Sequence, residues 1–178
     1  MNLQNASQGI TTLGSLLPDD SRLTLWEFGT GLDPPRDYRT LLPRTELDRA
    51  GRATLGQAVG SLQTRETGTG LYDTILAAYR AGQDGYRPDA PTHVVVFTDG
   101  RNEFDPGSIS PDQLSAQLAA SANPQRPVAL TVISFGAPAE ADALNTILKP
   151  VNGYVERLNR GDEVGATFIH LSAGGLHG

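Results

Sequence analysis

Six residues in a row, His93-Val94-Val95-Val96-Phe97-Thr98, constrain this chain more than any other feature. β-Branched side chains lose rotamer freedom in a helix and fit a pleated strand, so the run predicts a strand. Its apolar residues are consecutive rather than alternate, which predicts burial on both faces, as in the middle of a parallel sheet. Residues 128–135 (VALTVISF) repeat the pattern. Helical periodicities separate these runs, and strands alternating with helices predict an α/β fold: three layers, doubly wound around a mainly parallel sheet. Ligands of such sheets meet the carboxyl ends of the strands. Here those ends carry Phe28-Gly29-Thr30, Thr98-Asp99-Gly100 and Phe135-Gly136.

The remaining elements follow from spacing and punctuation. Leu3, Ile10, Leu13, Leu16 and Leu17 fall at helical intervals, and Pro18-Asp19-Asp20 ends that helix. Residues 22–28 (RLTLWEF) predict a strand with Leu23 and Leu25 on one face and Trp26 and Phe28 on the other. Residues 29–35 predict a loop, and 38–42 a short edge strand because Pro43 follows. One helix is predicted around Leu55, Ala58, Val59 and Leu62, and another after Gly68-Thr69-Gly70 with Leu71, Ile75 and Ala78 on one face. Ser110-Pro111-Asp112-Gln113 combines a capping box with proline at the first helical position. A helix through Leu144, Ile147 and Leu148 stops at Pro150, residues 153–158 predict a last strand, and Val164, Phe168 and Leu171 a last helix. A single domain over residues 1–178, with 172–178 as a tail, accounts for this length.

Charge narrows the partners. With 14 Lys and Arg against 20 Asp and Glu the formal net charge is -6, and no basic cluster occurs. This balance argues against nucleic acid and disfavours anionic membrane surfaces, since both call for a basic face. No apolar run approaches the ~20 residues of a membrane-spanning helix, so no direct insertion is expected. Cysteine is absent, which removes disulfides and thiolate metal sites. Met1-Asn2-Leu3-Gln4-Asn5 lacks the basic start of a signal peptide.

Two segments sharpen the reading. Thr67-Gly68-Thr69-Gly70-Leu71-Tyr72-Asp73 is a Gly-Thr-Gly turn opening a helix. Residues 94–103 (VVVFTDGRNE) deliver Asp99 from a buried strand into a turn with Gly100, Arg101, Asn102 and Glu103. In this order the pair resembles the second and third parts of the metal-ion-dependent adhesion site (MIDAS) of von Willebrand factor type A (VWA) domains. Residues 17–22 (LPDDSR) and 132–136 (VISFG) agree with the same family, and the resemblance runs to about Leu171. It implies a Rossmann-like fold with sheet order 3-2-1-4-5-6, and a module that binds proteins rather than an enzyme.

The resemblance also implies site roles. Thr69 would ligate Mg²⁺ or Mn²⁺ directly through its hydroxyl, and Asp99 largely through water. A carboxylate from a protein or peptide partner would complete the shell, since Mg²⁺ takes about six oxygens at about 2.1 Å. Gly68, Gly70, Gly100, Arg101, Asn102 and Glu103 become candidates for the surrounding ligand surface. The family's Asp-x-Ser-x-Ser loop, which supplies two hydroxyls and a carboxylate, has no counterpart in this sequence. The chain is therefore expected as a VWA domain of bacterial type without its first strand and first loop. Mg²⁺ is then expected in the intact parent and not on this chain. The missing strand would be the central one, leaving residues 23–28 and 94–98 with unpaired edges facing a gap. A preceding segment or a second chain adding a strand is the expected complement.

Plainer readings compete. Thr98-Asp99-Gly100 can be only a turn, with Asp99 capping backbone N–H groups. Thr69 serves equally as the N-cap of a helix starting at Gly70, and Gly68 and Gly70 as turn formers. His93 reads as a strand-end residue, and His170 and His177 stand apart from any acidic motif. Phosphatases with an aspartate nucleophile resemble Asp-x-Asp, whereas the second residue after Asp99 is Arg101. Neither a Gly-x-Ser-x-Gly elbow nor a phosphate loop occurs. The expectation is a binding module, with a metal-independent scaffold or a truncated non-binding fragment as the alternative and an Asp99-dependent hydrolase third. Bacterial domains of this look are often fused to exported or envelope-anchored proteins, although this chain carries no address of its own.

Overall fold

The apolar stripe of the first segment folds as a helix, α1 (Leu3–Leu16), that buries Ala6, Gly9, Ile10, Leu13 and Gly14. It belongs to a computed structural model that describes residues 3–63, 68–99, 102–103, 107–167 and 169. The chain divides into two compact units. One comprises Met1–Glu27, Arg39–Arg65 and Leu158–Gly178; the other comprises Phe28–Tyr38 and Glu66–Arg157.

In the first unit, α2 (Arg49–Gly60) starts at Asp48, whose carboxylate accepts the Gly51 N–H at 2.7 Å. Gly14 is required where α1 meets α2, because a β-carbon there would stand 2.5 Å from Leu55 Cδ2. Arg52 binds the end of α1: its guanidinium donates to the Gly14 carbonyl, to Leu17 O at 2.7 Å and to Asp19 Oδ1 at 2.8 Å. Carbonyls left unpaired at a helix end are satisfied in this way by a basic side chain. Leu42, Leu47 and Val164 are among the most buried side chains here. A 3₁₀ turn, Gly161–Glu163, continues helically through Thr167. Phe168 and Leu171, expected on this last helix, lie outside the described residues.

The hairpin β1 (Arg22–Asp33) and β2 (Arg36–Glu46) has its base in the first unit and its tip, residues 28–38, in the second. This corrects the predicted loop over 29–35 and the short strand over 38–42. Both strands run further, and the turn shrinks to Pro34-Pro35, joined by a cis peptide bond. Gly31 permits the extension by adopting φ +66 inside β1. Pro43 lies within β2, which among the described residues pairs with β1 alone, so an edge free of hydrogen bonds can accept a residue without an N–H. At the base, the buried Glu27 carboxylate meets Arg39, with Nη2 at 3.3 and 3.4 Å from its two oxygens.

The second unit holds α3 (Leu71–Asp84), β3 (His93–Thr98), α4 (Pro111–Ser121), β4 (Ala129–Ser134), α5 (Pro138–Leu148) and β5 (Tyr154–Arg157). The three strands form a parallel sheet in the order β3-β4-β5, with Val96 opposite Val132 and Val132 opposite Val155. Its core is built on Leu71 and Ile75 of α3, Leu114 and Leu118 of α4, Leu130 and Val132 of β4, and Leu144 and Leu148 of α5. Tyr79, not Ala78, continues the buried face of α3. The capping box at Ser110 and Gln113 is formed in both directions, at 3.1 and 2.7 Å.

One expectation about β3 is corrected. It is not a central strand buried throughout: His93 is exposed, and Val94 and Val95 are half-buried. Among the described residues it pairs with β4 alone, as β1 pairs with β2 alone, so the strands form two separate sheets. The unpaired edges expected of both strands are present in that pairing.

Candidate functional site

The Gly-Thr-Gly turn and the loop after β3 come together in the second unit. Glycine is needed at position 70 because the chain there has φ +53, and a β-carbon would fall 2.5 Å from Asp37 Cβ. Gly70 is itself the N-cap of α3 and makes no side-chain capping bond. Thr69 is therefore not that cap. Its hydroxyl instead accepts the backbone N–H of Glu103 at 3.1 Å. Asn102 supplies the missing cap from a distant loop: its Oδ1 accepts the Tyr72 N–H at 3.1 Å. Two hydrogen bonds thus lace residues 102–103 to residues 69–72.

The hairpin tip closes on the same turn. Thr30 N–H donates to Gly68 O at 2.6 Å, and Gly31 N–H donates to Asp37 Oδ1 at 2.7 Å. A β-carbon on Gly68 would stand 2.5 Å from Thr30 Oγ1 and 3.4 Å from Glu103 Cβ, so only glycine lets these chains approach. Asp73, in the first turn of α3, accepts the Ile109 N–H at 3.2 Å. A pocket lined by Pro35, Arg36, Asp37, Tyr38, Asp73 and Gly107 adjoins the turn, with the Arg36 guanidinium 5.7 Å from the Tyr38 ring centre. Burial raises the Tyr72 phenol above its ordinary value, keeping it a neutral hydroxyl.

Asp99 leaves β3 half-buried, and its carbonyl packs where a β-carbon on Gly136 would stand, 1.5 Å away. Phe135 N–H donates to Thr98 O at 2.8 Å, tying the ends of β3 and β4 together. Of the residues singled out in the sequence, Gly68, Thr69, Gly70, Asn102 and Glu103 are brought together. Gly100 and Arg101 lie outside the described residues. Thr30, Asp37 and Asp73 were not singled out. Thr30 carried a signal as a residue at a strand's carboxyl end, and Asp73 as the last residue of the Gly-Thr-Gly motif; residues 30 and 37 reach the turn through chain contacts that local pattern does not encode.

The metal implied by the resemblance can be tested against these side chains. Among the described residues no three Asp, Glu, His or Cys side chains group to hold an ion. Thr69 offers one hydroxyl oxygen, already accepting Glu103 N–H. Of the two polar atoms left without a partner beside the turn, Thr30 Oγ1 adds one more hydroxyl oxygen, and Asn102 Nδ2 is a donor that a hard cation does not accept as a ligand. These residues do not fit Mg²⁺ by themselves.

Residues 3–167 match the von Willebrand factor type A domain, and the chain belongs to that family. VWA domains are in general protein-interaction modules. The fold is similar to a von Willebrand factor type A protein from Catenulispora acidiphila, at TM-score 0.71 and 20% identity over 96% of this chain and 37% of that one. It is also similar to an aerotolerance-related membrane protein from Bacteroides fragilis NCTC 9343 carrying multiple mutations to serines, at 0.63 and 18%, over 96% and 86%. A conserved hypothetical protein, BatB, from Bacteroides thetaiotaomicron gives 0.65 and 16%, over 97% and 87%. At these identities the likeness concerns the fold, and the chain spans only 37% of the Catenulispora protein. No curated protein matches the chain. No helix among the described residues is long and apolar enough to cross a membrane.

Proposed function

We propose that this chain is a protein-interaction module that takes an extended segment of a protein along the outer edge of β3, next to the turn of residues 68–72. It is a binding reading and not a catalytic one. The observation that carries it is the direction of the β3 backbone. Thr92 O accepts from Ala129 and Thr98 O from Phe135, so the even-numbered residues of β3 face β4. Val95 and Phe97 then point their N–H and C=O groups to the opposite edge, where no strand of the described residues pairs. The strand itself carries no Lys or Pro to block strand addition. Main-chain pairing would give affinity, and the neighbouring valines favour an apolar, β-branched partner. A segment preceding this one in a parent protein, or a second chain, meets that description.

Recognition of a partner's acidic residue through Mg²⁺ or Mn²⁺ requires more than this chain supplies. In the parent, a further segment would have to bring hydroxyl and carboxylate oxygens to Thr69 and Asp99. For the chain as it stands, the interaction is proposed to be metal-independent.

Hydrogen exchange of the individual amides tests the reading. Val95 and Phe97 N–H are expected to exchange much faster than Val94 and Val96 N–H, and to become protected when the pairing segment is added. Equal protection of all four amides in the isolated chain would sink it.

A further inference from the structure

The parallel sheet of the second unit has two edges, and they are built differently. Even-numbered residues of β4 face β5, because Ala129 and Phe135 donate their N–H groups to Thr92 and Thr98 on the other side. Val132, opposite Val155, therefore bonds to the residues flanking it, Tyr154 and Glu156. Gly153, Val155 and Arg157 point their main-chain groups to the outer edge, where no strand of the described residues pairs. Helix α5 covers that edge. Val155 N–H donates to Asn145 Oδ1 at 3.3 Å, and Gly153 N–H donates to Leu148 O at 3.0 Å. Gly153 lets the strand start this close to the helix, since a β-carbon there would stand 2.8 Å from Leu148 Cβ. Arg157, the last outward residue, is exposed and charged, which discourages a neighbouring strand.

We infer that Asn145 guards the β5 edge: its amide oxygen takes the place of an incoming strand's carbonyl, so the sheet can be extended at β3 only. A β5 edge without this guard would be complementary to the β3 edge of a second copy. That pairing would repeat from copy to copy without closing, as head-to-tail contacts do. One open edge and one guarded edge make a chain that takes a single segment and does not polymerise. The closure of β5 stands on its own geometry, whereas the single segment rests on the reading of β3 proposed above.

Asn145→Ala removes the acceptor, and Asn145→Asp keeps an oxygen for Val155 N–H. Amide exchange at Val155, and mass by light scattering over a concentration series, read the two consequences. Val155 N–H is expected to exchange slowly in the unaltered chain and in Asn145→Asp, and about tenfold faster in Asn145→Ala. Unchanged exchange at Val132, in the middle of the sheet, shows that the variant is folded. The mass of Asn145→Ala is expected to rise with concentration, while the unaltered chain and Asn145→Asp keep theirs. Adding Val95→Pro to Asn145→Ala removes an outward N–H of β3 and should restore the lower mass. Fast exchange of Val155 in the unaltered chain overturns the guard, whatever the variants do. A constant mass in Asn145→Ala despite quickened exchange overturns it too, because the edge then needs no guard. Growth that persists with Val95→Pro overturns the head-to-tail pairing. Equal protection of Val94 to Phe97 in the isolated chain sinks the β3 reading instead, and leaves the result at Val155 standing.

Discussion

Gly70 holds φ +53 at the entrance to α3, with Asp37 packed against the space its β-carbon would fill. Alanine in the left-handed region costs roughly 1–2 kcal/mol before any clash is counted. Gly70→Ala is therefore expected to lose at least about 2 kcal/mol in urea unfolding once the clash is added. Gly56, with nothing within 4 Å of its would-be β-carbon and no positive φ, is the control. Gly56→Ala should be neutral or stabilising by about 0.5–1 kcal/mol, because it sits inside α2. Thr69 separates the two sequence readings of its role at the same scale. Thr69→Ser keeps an oxygen for Glu103 N–H and should cost little; Thr69→Ala loses that bond and about 1 kcal/mol.

Elements whose signals are local were legible from the chain alone. The Ser110 capping box is formed as the sequence spelled it, and the β-branched runs at 93–98 and 128–135 became β3 and β4. Ser110→Ala should cost about 1 kcal/mol, a fall of roughly 2–4 °C in melting temperature for a chain of this size. The hairpin was not legible, because glycines and prolines over 29–35 read as a loop until the opposite strand is known. Its length is decided by cross-strand pairing, which overrides local preference. The start of β3 adds a pH effect. His93 is exposed, but partial removal of its ring from water disfavours the imidazolium and lowers its pKa below the ordinary 6.5. Between that value and the lower folded one, the unfolded chain takes up the proton first. Stability is then full above about pH 6.5, declines through that window and levels off below it. His93→Gln should flatten this part of a urea-midpoint profile, and an unchanged acid-side slope would assign it to other groups.

Over the whole molecule, the family and the meeting of Gly68, Thr69, Gly70, Asn102 and Glu103 could be read from two motifs in order. The contribution of Thr30 and Asp37 could not, since residues from a hairpin tip reach that turn only through the folded chain. The motif departs from the family's at one point, the absence of Asp-x-Ser-x-Ser. A donor nitrogen and one threonine hydroxyl stand beside the turn without a partner, and no cluster of three acidic or imidazole groups forms among the described residues. That difference can be measured through stability. A ligand at about 100 times its dissociation constant adds about 2.7 kcal/mol to the folded state. In a chain of this size each kcal/mol raises the melting temperature by roughly 2–4 °C. An Mg²⁺ site of about 0.1 mM affinity would thus show a rise of about 5–10 °C in 10 mM Mg²⁺. The expected result is a change of less than about 1 °C with Mg²⁺ or Mn²⁺, identical in Asp99→Ala and Thr69→Ala. A rise of several degrees that Asp99→Ala abolishes would show that these two residues, with water, already hold the ion, and binding would have to be reassigned to it.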